Sequence, residues 1–378
     1  MKLNDKLEEQ IIRCSRCGFC RAVCPVFEVK ERVESWNTRG RILLLRALSE
    51  GQIGVTNDLI ERIYTCTLCG ICEVTCPSGV KVKDIIETAR CTFAEQGYLP
   101  QTLVNMGPTI KETRNIYGES NRKRALWVPN DIKIPYGGDT LFYTGCVSAY
   151  RTTEIARSIV KVLMASNYEF GYLGSDECCC GGVALWAGYK RAFDEVVSLN
   201  TRKFEEVGAS RIVTGCPACW SVFKKYYPLK NLEILHYSQV FEELIDADRL
   251  KLQRLEAKVT FHDPCHFDRT SSEIYDSPRK VLENIPGISL IEMAHNKEKS
   301  LCCGGGAGVV WTSYPRLSLL MAERRLKEAK DVGAEIMVTS CPLCYITFNV
   351  CKKRKKIDIE ILDLSQLLTR AMCAHSTN

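Results

Sequence analysis

Ten cysteines fall into two copies of one arrangement. Cys146, Cys179-Cys180-Gly181 and Cys216-Pro217-Ala218-Cys219 make the first; Cys265, Cys302-Cys303-Gly304 and Cys341-Pro342-Leu343-Cys344 make the second. The lone cysteine precedes the pair by 33 and 37 positions, and the pair precedes the C-P-x-C by 36 and 38. Thiolates in such number serve as soft metal ligands or exchange disulfides. Five per copy exceed the four of a tetrahedral zinc site, and neighbouring side chains that point apart do not readily clasp one small ion. They suit an extended cluster whose separate metal atoms each take a sulfur. The glycines after each pair, Gly181-Gly182 and Gly304-Gly305-Gly306, would let backbone approach that cluster closely.

A different pattern comes earlier in the chain. Cys14-x2-Cys17-x2-Cys20-x3-Cys24-Pro25 is followed by Cys66-x2-Cys69-x2-Cys72-x3-Cys76-Pro77. This is the bacterial ferredoxin run for two cubane [4Fe–4S] clusters, in which the fourth cysteine of each run leaves to ligate the other cube. One cubane is therefore expected on Cys14, Cys17, Cys20 and Cys76, and the other on Cys66, Cys69, Cys72 and Cys24. Gly18 and Gly70 sit where each loop bends. Everything before the two copies reads as a device for delivering electrons to them.

The chain has 378 residues, 46% apolar and 25% charged, with 22 cysteines and a net charge of +6. That charge is too mild and dispersed to argue for nucleic acid. Apolar runs are short, such as Ile42 to Leu45, far from a membrane helix of about 18 residues. The first ten residues lack the apolar core of a signal peptide, so the expected location is cytoplasmic, with any membrane reached through a partner. A disulfide framework does not fit that compartment.

The elements that position these cysteines are legible in outline. Residues 1–98 read as an α-helical two-cubane ferredoxin domain. Ile42, Leu43, Leu44, Leu45 and Leu48 crowd one side of a helix, Asp58 to Tyr64 makes another capped by Thr56 or Asn57, and Val82 to Gln96 a third. Cys91 falls inside that third helix and reads as core. Residues 99–139 read as a linker punctuated by Pro100, Pro108, Pro129 and Pro135, with Asn121-Arg122-Lys123-Arg124 a solvated basic turn.

Residues 140–247 and 258–372 read as a duplicated α/β unit of roughly 110 residues. Val207-Gly208-Ala209 matches Val332-Gly333-Ala334, and Glu233-Ile234-Leu235 matches Glu360-Ile361-Leu362. Strands are expected at Thr140–Thr144, Ile212–Thr214, Val259–His262 and Ile336–Thr339, and helices at Thr153–Ser166 and Ser277–Asn284. Each C-P-x-C would follow a strand and open a helix with Pro at its first position, where the dipole favours thiolate. A crossover βα plan predicts a mainly parallel sheet in each half.

Two ferredoxin runs followed by two Cys-Cys-Gly repeats resemble the catalytic iron–sulfur subunit of heterodisulfide reductase, in the form where both parts are fused. The likeness covers essentially the whole chain. Arg39-Gly40-Arg41, Asn115-Ile116-Tyr117-Gly118-Glu119 and Trp127 also look like features of this wider group. The resemblance implies two noncubane [4Fe–4S] clusters, one on Cys146, Cys179, Cys180, Cys216 and Cys219, the other on Cys265, Cys302, Cys303, Cys341 and Cys344. Cys178 extends the first pair to three; Cys179 and Cys180 are taken as ligands because they precede Gly181.

The implied reaction is reduction of a disulfide, like that between coenzyme M and coenzyme B, to two thiols. Electrons would come from a haem- or flavin-containing partner subunit, and a disulfide bound between the two noncubane clusters would receive one from each. The wider group also holds iron–sulfur subunits of glycolate and lactate dehydrogenases and of other respiratory complexes, several of which lack part of a C-P-x-C. Both sets are complete here, which favours the disulfide-reducing branch.

Protons for the thiols must come from nearby. His262 and His266, in His-Asp-Pro-Cys-His, are the candidate catalytic residues, with hydrogen bonding to cluster sulfur a second role for them. A heterodisulfide is anionic, so cations are expected around it; Arg151 and Arg269 follow the lone cysteines by five and four residues. Lys352-Lys353-Arg354-Lys355-Lys356 reads as a solvated helix end, and Cys351 and Cys373 as spare.

Overall fold

A computed structural model describes residues 5–269 and 273–373. In residues 5–98, the N-terminal part, the regular elements are all helices. Its longer helices are Asp5–Ile12, Thr38–Ser49, Asn57–Tyr64 and Val82–Glu95, with short helical turns after the bends at Gly18 and Gly70. Asn37 caps the second by accepting the Gly40 amide at 3.0 Å, and Thr56 caps the third by accepting the Leu59 amide at 3.2 Å. Each cap satisfies a backbone donor that the helix itself cannot.

The remainder is α/β, in two parallel sheets. Strands β1 (Thr140–Tyr143), β2 (Arg211–Thr214) and β3 (Glu233–His236) form the first in the order β1-β2-β3. Strands β4 (Ala257–His262), β5 (Ile288–Leu290), β6 (Ile336–Thr339) and β7 (Glu360–Asp363) form the second in the order β5-β4-β6-β7. The registers end in matching rows: Tyr143, Thr214 and His236 in one sheet, His262, Thr339 and Asp363 in the other. Just past those rows come Cys146 and Cys216 in one sheet and Cys265 and Cys341 in the other. Pro217–Tyr226 and Pro342–Lys355 then run as helices with proline in the first turn, a position where its missing N–H costs nothing.

Three apolar layers join the parts. Tyr64, Ile86 and Phe93 of the helical part share a core with Trp186, Phe193 and Phe223 of the first α/β unit. Phe142, Ile159 and Val213 of the first unit pack with Phe261, Leu362 and Leu367 of the second. Phe27, Trp36 and Ile71 pack against Val310, Leu317 and Met321. Arg90, fully buried, seals the first contact. Its guanidinium donates to the carbonyls of Ile63, Tyr64, Cys66 and Trp186.

One expectation is revised. The helix placed at Ser277–Asn284 begins at Glu273 and runs to Glu283, with Pro278 inside it. A proline suggests a first turn, but one missing amide is tolerated mid-helix where packing holds the rest. Two of the glycines after the cysteine pairs also have a steric role. Gly181 and Gly304 have φ of +84° and +90°, and a Cβ on them would lie 2.6 Å from Val196 and 2.4 Å from the Ser318 carbonyl. They turn the chain in a left-handed conformation against the helices Lys190–Glu206 and Pro315–Asp331, which L-residues with side chains resist. Their missing side chains face those helices, while their amides donate to the sulfurs of Cys179 and Cys302 at 3.3 and 3.4 Å.

Candidate functional site

The helical part brings the ferredoxin cysteines into two small cavities. Cys14, Cys17, Cys20 and Cys76 line one, with Cys72 at its edge. Cys24, Cys66, Cys69 and Cys72 line the other. The last cysteine of each run thus lies beside the opposite loop. Exposure falls along the series: Cys17 is exposed, whereas Cys24, Cys69 and Cys72 are buried. Cys69 in turn shares a side-chain hydrogen bond with Cys302 of the second α/β unit.

The two α/β units meet at one cavity of about 480 Å³. All five cysteines of the first copy line it, as do Cys265, Cys303, Cys341 and Cys344 of the second. Cys302 lies behind that wall, 3.9 Å from Cys265 through sulfur and against Cys69. Cys344 and Cys303 approach to 3.2 Å through sulfur. Every described cysteine is unbridged. Neighbouring thiols, Cys179 and Cys265 respectively, push Cys146 and Cys302 far above the ordinary thiol value, and burial adds to this. Crowded, unbridged, buried sulfurs whose charge is opposed in this way are a donor set suited to iron–sulfur clusters.

The surroundings of the two copies differ. In the first, Arg124 is fully buried, pairs with Glu177 at 2.5 Å and donates Nη2–H to Cys146 Sγ at 3.2 Å. Glu177 also accepts the amides of Thr144 and Gly145 at 2.8 and 3.0 Å. The basic turn expected to be solvated therefore turns its last side chain inward, because a buried carboxylate and a thiol wait for it. In the second copy the matching position of Tyr143 is His262. Its Nδ1 accepts Nε–H of Arg325 at 3.1 Å. One of its ring nitrogens and the sulfurs of Cys303 and Cys344 all lie within 4.8 Å of one another. His262 stands behind these cysteines and is absent from the cavity wall.

His266 does line the cavity. Its ring lies 4.5 Å from that of Trp186, centroid to centroid, and its Nε2 is enclosed with no partner. Burial, reinforced by the Lys83 cation, holds its pKa below the ordinary imidazole value. Arg151 lies at the cavity edge. It pairs with Glu119 at 2.6 Å and stacks 3.9 Å over Tyr117. The Asn115 side chain sets that loop by accepting the amides of Tyr117 and Glu119.

Arg269 corrects another expectation. It is buried between domains, donating to the carbonyls of Cys69, Glu298 and Ser300, and does not reach the cavity. Cys178 turns away to the Asp176 carbonyl at 3.7 Å, and Cys351 to that of Leu319 at 3.5 Å. Cys91 is half-buried in its helix. The Cys373 side chain lies outside the described residues.

Sequence reasoning missed Arg124, Glu177, Arg325 and the two tryptophans of the cavity, Trp186 and Trp311. The tryptophans carried a readable signal, since each follows the second cysteine of its pair, by six and eight residues. Arg124 and Glu177 had none, because they are 53 residues apart, and the His262 that Arg325 reaches is 63 residues from it.

Four-cysteine runs on helical loops and a paired cysteine-rich α/β unit define an iron–sulfur oxidoreductase component. Residues 10–80 match the 4Fe-4S dicluster domain family, and residues 140–224 and 259–349 match the cysteine-rich CCG domain family. The D-type subunit of dihydromethanophenazine:CoB–CoM heterodisulfide reductase from Methanosarcina acetivorans is 30% identical over 95% of this chain and 93% of its own length. The chain belongs to this family of D-type heterodisulfide reductase subunits. An EtfAB:quinone oxidoreductase of Syntrophomonas wolfei is 26% identical over 95% of this chain and 58% of its own length. The crystal structure of a hypothetical protein from Helicobacter pylori shares the fold, with a TM-score of 0.51 and 12% identity over 99% of this chain and 74% of that one. Among the described residues no helix is long and apolar enough to cross a membrane.

Proposed function

We propose that this chain is the disulfide-reducing component of a larger redox complex. One disulfide, two electrons and two protons give two thiols. Cys14, Cys17, Cys20 and Cys76 would hold one cubane [4Fe–4S] cluster, and Cys66, Cys69, Cys72 and Cys24 the other. Cys146, Cys179, Cys180, Cys216 and Cys219 would hold one noncubane cluster, and Cys265, Cys302, Cys303, Cys341 and Cys344 the second. When bound, such clusters supply electrons singly, so that a two-electron substrate needs two of them close together.

The observation that carries the reading is the shared cavity, which has both cysteine copies in its wall. A disulfide seated there has a cysteine set on either side. Trp186 and Trp311 shield it from water, which strengthens every polar contact inside. His266 stands at the wall with a free ring nitrogen, placed to donate a hydrogen bond to a departing thiolate. His262 supports the second cysteine set from behind, as a positioning residue.

Electrons would enter near Cys17, the exposed ferredoxin cysteine, from a haem- or flavin-containing partner. The relative's name, which makes it one component of a multi-part reductase, supports membership of such a complex. The complex would lie in the cytoplasm and touch a membrane only through that partner.

A second reading has the chain as a conduit for a flavoprotein, such as a glycolate or lactate dehydrogenase or another respiratory complex. The quinone-linked relative favours it. Anaerobically purified protein supplied with reduced viologen separates the two. The proposal expects dye oxidation on adding a disulfide, with two thiols formed per two electrons, and none with glycolate, lactate or fumarate. A preparation with about 16 irons, from four four-iron clusters, that reduces no disulfide would establish the conduit.

A further inference from the structure

We propose that Arg269 is a positioning residue for electron passage from the helical part to the second α/β unit, because one guanidinium ties the Cys69 loop to the loop that carries Cys302. This rests on the cysteine sets holding their clusters, and it holds whether the complex reduces a disulfide or hands electrons on.

Cys17 and Cys69 are the second cysteines of equivalent runs. Their loops bend alike: φ is +60° and +88° at Arg16 and Gly18, and +53° and +71° at Leu68 and Gly70. The surroundings are what differ. Cys17 is exposed, whereas Cys69 is buried and shares a hydrogen bond with Cys302. Cys302 is the one cysteine of its copy that is absent from the cavity wall. The same loop, used twice, thus turns one sulfur to solvent and the other to the second copy.

Arg269 bridges this junction. It donates Nε–H to the Cys69 carbonyl at 2.6 Å and Nη2–H to the Ser300 carbonyl at 2.9 Å, and its third nitrogen serves the Glu298 carbonyl. Ser300 lies two residues before Cys302. Its hydroxyl donates to the Asp263 carbonyl at 3.1 Å and accepts from Arg325 at 3.3 Å. One end of the bridge is therefore fixed in the second unit, and the Cys69 carbonyl is what it reaches across to hold. A planar fork can keep carbonyls of separate loops in one geometry, which an ammonium on a flexible stem does less well. The step moves one electron: the cluster that Cys69 holds is oxidised by one, the cluster that Cys302 holds is reduced by one, and no bond is made or broken. The geometry of the junction then governs its rate.

The test mixes anaerobic holoprotein with photogenerated methyl viologen radical, freezes it at successive times and reads electron paramagnetic resonance. Cys66→Ser and Cys341→Ser identify the signals, and Cys66→Ser gives the background of direct reduction. Arg269→Gln, with full iron content, is expected to slow arrival of the electron at the second copy by at least about tenfold. Arg269→Lys keeps the charge but loses the fork, and is expected to slow it too, by a smaller factor. Lys225→Met breaks a different bridge between the helical part and the α/β units, the 2.7 Å pair with Asp84, and is expected to leave the rate within about twofold. An unchanged rate in Arg269→Gln or Arg269→Lys, or equal slowing in Lys225→Met, would overturn the inference. So would wild-type protein without a signal from the second copy, which would remove the cluster on Cys302. If the order of rates holds while no disulfide is reduced, the junction stands and the reductase reading falls.

Discussion

Arg325 donates its Nε–H to Nδ1 of His262 at 3.1 Å, and that bond settles what the imidazole can do. A guanidinium cannot accept, so Nδ1 must, and in the neutral ring Nε2 carries the proton. Arg325 is itself held by Glu328 at 2.6 Å and by Ser300 Oγ at 3.3 Å. Nε2 is buried without another partner, and the ring stands beside the sulfurs of Cys303 and Cys344, so its N–H is placed to donate to cluster sulfur. In the first unit Tyr143 occupies the matching place and turns its hydroxyl to the Cys178 carbonyl. There Arg124 approaches Cys146 instead. The two copies of one arrangement thus have different polar backing.

His262→Leu should accordingly keep its full iron content and lower the reduction potential of one cluster while leaving the others in place, because a hydrogen bond to sulfur favours the more negative, reduced form. A spectroscopically monitored redox titration reads this directly. Loss of about four irons in that variant would mean that His262 is a ligand.

Glu177 is the counter-charge of a fully buried cation and also accepts two backbone amides. Glu177→Ala should destabilise the fold by about 3–5 kcal/mol, the usual result of stranding a buried charge. Glu177→Gln, which retains an acceptor, should cost less. Anaerobic urea unfolding measures both, and near-identical midpoints for Ala and wild type would contradict the pairing.

How much of this was readable follows from where each constraint acts. Cysteine spacing is local, so the two ferredoxin runs, the duplicated arrangement and the parallel α/β plan could be read from it. The strands ending at Tyr143 and Thr214 follow from short buried runs, whereas the one ending at His236 showed in the sequence only as a repeated Glu-Ile-Leu. Arg124 and Arg269 could not be read in the same way. A basic residue in a polar stretch looks solvated until the fold brings Glu177 from 53 residues away, or the Cys69 carbonyl from 200 away. The helix at Glu273 was hidden by Pro278, whose local rule packing overrode.

Asp363 gives a pH-dependent test away from the cysteines. It caps the helix Leu364–Cys373, accepting the Ser365 amide at 3.0 Å and the Tyr237 hydroxyl at 2.8 Å. Burial raises its carboxyl from 3.8 to about 6, against the pull of those hydrogen bonds. The native state then holds this proton more tightly than the unfolded chain. Its stabilising contribution is complete below about pH 4 and is lost as pH rises through 6, a change of about 3 kcal/mol. Stability measured from pH 4 to 7 should shift in favour of Asp363→Asn by about that amount relative to wild type. A constant difference would refute it.

The crossing of the ferredoxin ligands is testable by combining variants. Cys76→Ser should remove no further iron from a Cys14→Ser background, since both serve one cluster. In a Cys66→Ser background the loss should rise from about four irons to about eight. The reverse pattern would assign Cys76 to its own loop.

The central claim is that both cysteine sets act on one disulfide in one cavity. It is tested most directly by dye-driven disulfide reduction in Cys146→Ser and Cys341→Ser, each assayed alongside its iron content. The account predicts that either change alone removes about four irons at most and abolishes turnover, while the intact set in each variant remains. Sustained disulfide reduction in either variant would show that one set suffices and would contradict the account.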